Sequence, residues 1–131
     1  MIVAFYDYDD QTNHLNGTAI HDKSRLFQLL QGMRNRSPFI CKLVGENGYD
    51  LLVGIGKFGF VEHSACNGDP PYLVAVSPNS EPEEGEFEFM CGGTPTPISM
   101  RNCLPFDDVL QIVGYFQETG RTYPGVAWEK V

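Results

Sequence analysis

Between residues 39 and 63 the chain holds three short runs rich in β-branched and aromatic residues, separated only by glycine-bearing breaks. Residues 39–44, 50–54 and 57–63 each suit a strand. The first two flank Gly45-Glu46-Asn47-Gly48, where Asn47-Gly48 favours the left-handed backbone of a tight hairpin. Strands joined this closely run antiparallel, because a parallel return needs a crossover of a dozen or more residues. The middle of the chain is thereby committed to an antiparallel sheet, and something else must cover it.

Two segments have the period to do so. Asp22 can cap a helix that places Leu26, Phe27, Leu30 and Met33 on one face, with Ser37-Pro38 as its stop. The second carries an apolar stripe of Phe106, Val109, Leu110, Val113 and Phe116. Pro105 suits its first position, Asp107 and Asp108 complement the helix dipole, and Gly120 is placed to end it in a left-handed conformation. Further strands are expected at residues 2–8, 72–77 and 86–91, a short one at 98–100, and a last one at 126–129 carrying Trp128. Within 86–91, Phe87 and Phe89 alternate with Glu86 and Glu88, so one face is buried and the other meets water. Residues 92–97, with two glycines and two prolines, read as loop. No repeat or linker splits the 131 residues. The expectation is one α+β domain spanning 1–131, with an antiparallel sheet of about five to seven strands and two packed helices.

A domain of this length can build its core without metals or crosslinks. The four cysteines, at 41, 66, 91 and 103, are expected as free, mostly buried thiols. None forms a C-x-x-C pair, so neither a metal nor any other cofactor is expected. No run of eighteen apolar residues is present, and the first residues lack the basic leader and cleavage site of a signal peptide. A cytoplasmic location is expected.

Three patterns bear on chemistry. Gly54-Ile55-Gly56-Lys57-Phe58-Gly59 contains G-x-G-x-x-G, which in a dinucleotide site leads from a strand into a helix. Here it leads into Phe60-Val61-Glu62-His63, a strand, so the glycines are expected to serve turns or bulges. His63 and Cys66 are close enough in sequence for a base and a nucleophile, yet no third orienting group is evident. A small Cys/His enzyme stays open as an alternative, although no catalytic residue is assigned. The third pattern is charge. The chain carries a formal net charge of −8, which disfavours nucleic acid and anionic membranes as partners and favours a basic protein. Glu81, Glu83, Glu84, Glu86 and Glu88 crowd together after Pro78. They form either a solvated loop running into a strand or a docking surface for a cationic partner. Tyr49 and Tyr72 are further candidates for such a surface, since tyrosine is enriched at protein interfaces.

The C-terminal third has a more particular pattern. A helix ending in Phe116, Thr119 and Gly120, then Pro124, Val126 and Trp128, resembles the close of a bacterial polymorphic-toxin immunity protein family, immunity protein family one. Residues 51–56 with Gly59-Phe60-Val61 are similar to that family's central glycine-marked hairpin, and Thr122-Tyr123 lengthens the turn before Pro124. The family is often encoded beside nucleic-acid deaminase toxins. The resemblance implies an antitoxin, not an enzyme, that binds a cognate toxin with a basic cleft and occludes its active site. An adaptor that carries a toxin for secretion is the other binding role the same residues allow.

Overall fold

The computed structural model describes residues 1–131. Ten strands and two α-helices follow in the order β1 (Val3–Asp7), β2 (Thr18–Ile20), α1 (Lys23–Gly32), β3 (Phe39–Gly45), β4 (Tyr49–Ile55), β5 (Phe58–Ala65), β6 (Leu73–Val76), β7 (Glu86–Cys91), β8 (Thr94–Ser99), a 3-10 turn (Met100–Asn102), β9 (Leu104–Pro105), α2 (Phe106–Thr119) and β10 (Ala127–Lys130). The main sheet runs β10-β6-β5-β4-β3-β1-β2 with antiparallel neighbours throughout. β7 joins it beside β3 through one parallel pair, Phe39 with Met90, and pairs along its length with β8. The fold is α+β, as the sequence implies.

The sheet is larger than the expected five to seven strands, for physical reasons visible at each addition. β2 and β9 are three and two residues long, too short to show alternation. β8 contains Pro95 and Pro97 and reads from sequence as loop, but it pairs only with β7. An edge strand tolerates proline because one side of its backbone donates to no neighbour. Gly92 and Gly93, with φ of 60° and 80°, supply the two left-handed residues that a two-residue hairpin turn requires.

Both helices lie on one face of the sheet. Asp22 caps α1 by accepting from the Arg25 amide at 2.8 Å, and the helix ends at Gly32, ahead of the Ser37-Pro38 stop. α2 starts at Phe106, with Pro105 as the residue before its first turn, and ends at Gly120 with φ of 73°. Leu26, Leu30, Val109, Val113 and Phe116 meet Phe5, Phe39, Leu43, Leu51, Val53 and Val61 in one core, all of them fully buried or nearly so. Each such side chain contributes about 1.5–3 kcal/mol on burial. Gly114 lets the helices approach: a Cβ there would stand 2.8 Å from the Lys23 side chain and 3.0 Å from the Phe27 ring.

The β7–β8 hairpin folds over the opposite face. Phe89 is fully buried against Ile40, Phe60 and Val74, with Leu52 and Phe87 at the margin. The sheet is thus covered by helices on one side and partly by a hairpin on the other.

Candidate functional site: an acidic ridge on the hairpin side

Glu86 and Glu88 project to solvent from β7 because Phe87 and Phe89, alternating with them, turn inward. Glu81, Glu83 and Glu84 occupy the exposed connection that leads from β6 into β7. That connection is anchored at both ends: the Ser77 amide donates to the Arg101 carbonyl and the Met100 amide to the Gly85 carbonyl. Phe87 also meets the Phe58 ring edge-on at 5.4 Å, fixing the hairpin to β5. The five carboxylates are thus all exposed and follow one another within residues 81–88, an acidic ridge along the connection and the outward side of β7. None of them belongs to any of the four ion pairs, Lys23–Glu118, Arg36–Asp7, Lys42–Asp50 and Arg101–Glu129. Arg101, the cation in the turn beside the ridge, is already committed to Glu129 at 3.0 Å. The ridge presents charge that the protein itself does not neutralise.

The two tyrosines stand apart from it. Tyr72 precedes β6 while the glutamates follow that strand, and its hydroxyl donates to the Gly68 carbonyl. Tyr49 lies on the helix side, stacked on His63 with ring centroids 5.1 Å apart. Tyr49 and His63, together with Asp69, Pro70, Pro71, Leu73 and Arg121, edge an open cavity of about 440 Å³ beyond the end of α2, and Tyr72 does not line it. The glutamates share the β6–β7 connection and β7, whereas Tyr49 opens β4 and Tyr72 precedes β6.

His63 and Cys66 do not form a nucleophile–base pair. His63 is buried on the helix face, its Nε2 3.3 Å from the Gly120 carbonyl and its ring edge-on to Phe116. Cys66 follows the end of β5, exposed, and responds to Asp50 on the other face. Burial and the Asp50 charge raise its pKa, opposite to the change that activates a thiol. Nor do three His, Cys, Asp or Glu side chains converge where they could hold a metal ion.

The glycine motif is accounted for by packing. A Cβ at Gly54 would meet the Phe89 ring at 2.7 Å, one at Gly56 would meet Pro38 at 2.9 Å, and one at Gly59 would overlap Val109. The three glycines admit the hairpin, the β3 approach and α2, and no helix N-terminus follows them to bind a phosphate.

The family described as Immunity protein Imm1 matches residues 18–130, nearly the whole sheet and both helices. The chain belongs to this family. Imm1 membership makes it an immunity protein directed against a toxin, with a protein as its partner. No curated protein matches the chain. Among the residues that carry the family resemblance, Gly120 ends α2, and Trp128 donates its indole Nε1 to the Tyr123 carbonyl at 2.9 Å and fixes the last strand against the preceding turn. Both are framework residues. No helix of this Imm1 protein is long and apolar enough to cross a membrane.

Proposed function

We propose that this Imm1 protein neutralises a cognate nucleic-acid deaminase toxin in the bacterial cytoplasm by binding it stoichiometrically and occluding its active site. The observation that carries this reading is the row of five exposed carboxylates, Glu81, Glu83, Glu84, Glu86 and Glu88, left without a cation of their own. A toxin that acts on nucleic acid holds phosphates in a basic cleft. An acidic ridge on a hairpin complements such a cleft and speeds encounter. The deaminase assignment comes from the family's frequent pairing with such toxins. No part of the mechanism requires a catalytic residue or cofactor in the immunity protein.

The test begins with a tagged pull-down from the native host and expression of the co-purifying toxin domain alone and beside this protein. Toxicity alone, rescue on co-expression and loss of base deamination in the purified 1:1 complex are expected. A complex that forms while the toxin keeps full activity would instead identify a secretion adaptor. Reversing Glu83 and Glu84 to lysine is expected to slow association about tenfold at low salt and to flatten its salt dependence. Unchanged association kinetics would remove the ridge from the interface.

A further inference from the structure

The main sheet has a second face, opposite the helices, and the hairpin covers only part of it. On β1, Val3, Phe5 and Asp7 turn toward the core, so the alternate residues Ile2, Tyr6 and Tyr8 turn outward. These are three of the five large apolar or aromatic side chains that remain exposed, at 37%, 40% and 37%. The strand register continues the same row across the sheet: Tyr6 lies opposite Lys42, Lys42 opposite Leu52 and Leu52 opposite Glu62. Lys42 is already engaged, 3.1 Å from Asp50 and 5.5 Å from the Tyr8 ring. Glu62 is half-buried and has neither an ion-pair partner nor a hydrogen bond to its carboxylate. Burial and the neighbouring Asp50 charge raise its pKa, the mark of a carboxylate without a counter-charge.

The geometry points to this open face as a second contact surface for the cognate toxin, with Tyr6 and Tyr8 as aromatic anchors and Glu62 receiving an arginine or lysine of the toxin. The inference rests on the toxin-binding reading above and names where else the toxin sits. Rigid aromatic side chains and a partly desolvated charge on one face, here separated by Lys42 and Leu52 along the row, are the composition of a protein interface. The hairpin that bears the acidic ridge rises from this same side of the sheet, since Phe89 packs on Ile40 and Phe60 of the outward face. One basic partner can therefore meet both. A second copy of the chain fits poorly: each copy carries a net charge of −8, and pairing like faces would set carboxylate against carboxylate.

The experiment measures affinity for the toxin domain that co-purifies with the tagged chain and is harmless only beside it. Glu62→Gln and the double variant Tyr6→Ala/Tyr8→Ala are compared with the native chain and with Glu118→Gln, a control on α2. Each sheet-face variant is expected to weaken binding at least tenfold, and Glu118→Gln by less than twofold. Glu62→Gln should at the same time leave the thermal midpoint of the free protein unchanged or raised, because the substitution removes an uncompensated charge. Binding within twofold of native for both sheet-face variants, with the toxin still neutralised, would overturn this inference and leave the immunity mechanism standing. A free-protein dimer by light scattering that Tyr6→Ala/Tyr8→Ala dissociates would assign the face to a second copy instead. Failure of the native chain to neutralise the toxin would overturn both readings.

Discussion

The Phe89 ring lies over Gly54, so close that a Cβ on the glycine would stand 2.7–2.9 Å from three of the ring's carbons. This contact seats the β7–β8 hairpin on the sheet and so positions the ridge glutamates. Gly54→Ala is expected to lower stability by about 1–3 kcal/mol, the usual range for overpacking a close-packed core. Urea unfolding of Gly54→Ala, Phe89→Leu and the double variant should reveal coupling, the second change costing less once the first is present. Additive effects would mean that the ring does not depend on the glycine. Gly59→Ala should be at least as damaging, because there the clash is with Val109 of α2 and the Gly54 carbonyl is only 3.2 Å away.

The same glycines mark where the sequence can and cannot be read. Residues 54–59 match a cofactor pattern, and only the strand that follows argues against it. What the glycines accommodate, Phe89, Pro38 and Val109, lies far away in sequence and is visible only once the chain is folded. Periodicity made the two helices and the long central strands legible, because each has one buried face over several repeats. β2 and β9 were too short for a period, and β8 was hidden by prolines that only an edge position excuses. The acidic cluster was legible as composition. Its separation from Tyr49 and Tyr72 was not, because the direction of β6 decides it. Tyr6 and Tyr8 stand out in the sequence only as two of its six tyrosines, and the face they share with Glu62 follows from strand register.

Asp7 and Arg36 tie the 8–17 loop to the core. The Asp7 carboxylate, with a side chain 0% exposed, lies 2.7 Å from Arg36 Nη1, and that guanidinium stacks 3.7 Å above the Phe39 ring. Burial by itself raises the Asp7 pKa, but hydrogen bonds from Arg36, Asn13 and the Asp10 and Asp9 amides outweigh it and hold the carboxyl below its ordinary 3.8. A depressed folded-state value means that the ion pair adds stability fully above the unfolded pKa and loses it as pH falls through the folded one. Thermal midpoints measured from pH 6 downward should therefore fall more steeply below about pH 4 in the native protein than in Asp7→Asn. Parallel curves would show that Asp7 titrates as it does when unfolded. Arg36→Met should destabilise by about 2 kcal/mol at pH 7, less than for a fully buried pair, because the Arg36 side chain is 35% exposed.

Gly120 closes α2 with φ of 73°, and a Cβ there would collide with the Asn47 side chain of the β3–β4 turn. Gly120→Ala thus faces two penalties, an unfavourable backbone region and a steric clash. A loss of about 2 kcal/mol or more in urea unfolding is expected. Asn47 also donates to the Gly120 carbonyl and accepts from the Tyr49 amide, so the reference is Asn47→Ala alone: in that background Gly120→Ala should cost less, by the steric part, and keep the backbone part. No cost in that background would show that the left-handed conformation is dispensable.

Three of the four thiols, Cys41, Cys66 and Cys103, should report the absence of an activated nucleophile. Cys41 is fully buried, which pushes its pKa far up, and burial raises Cys103 to about 11. Both should resist iodoacetamide at pH 7 until the protein unfolds. Cys66 is exposed and should label ahead of them, but more slowly than a small free thiol, because burial of the sulfur and the Asp50 charge both oppose the thiolate. Asp50→Asn removes that charge and frees Lys42, 3.1 Å from it in the native protein, to stabilise a nearby anion. Both changes favour the thiolate, so peptide-resolved alkylation should show Cys66 labelling faster in Asp50→Asn. Native Cys66 reacting faster than the free thiol would mean an activated sulfur and would revive an enzymatic role for this end of β5.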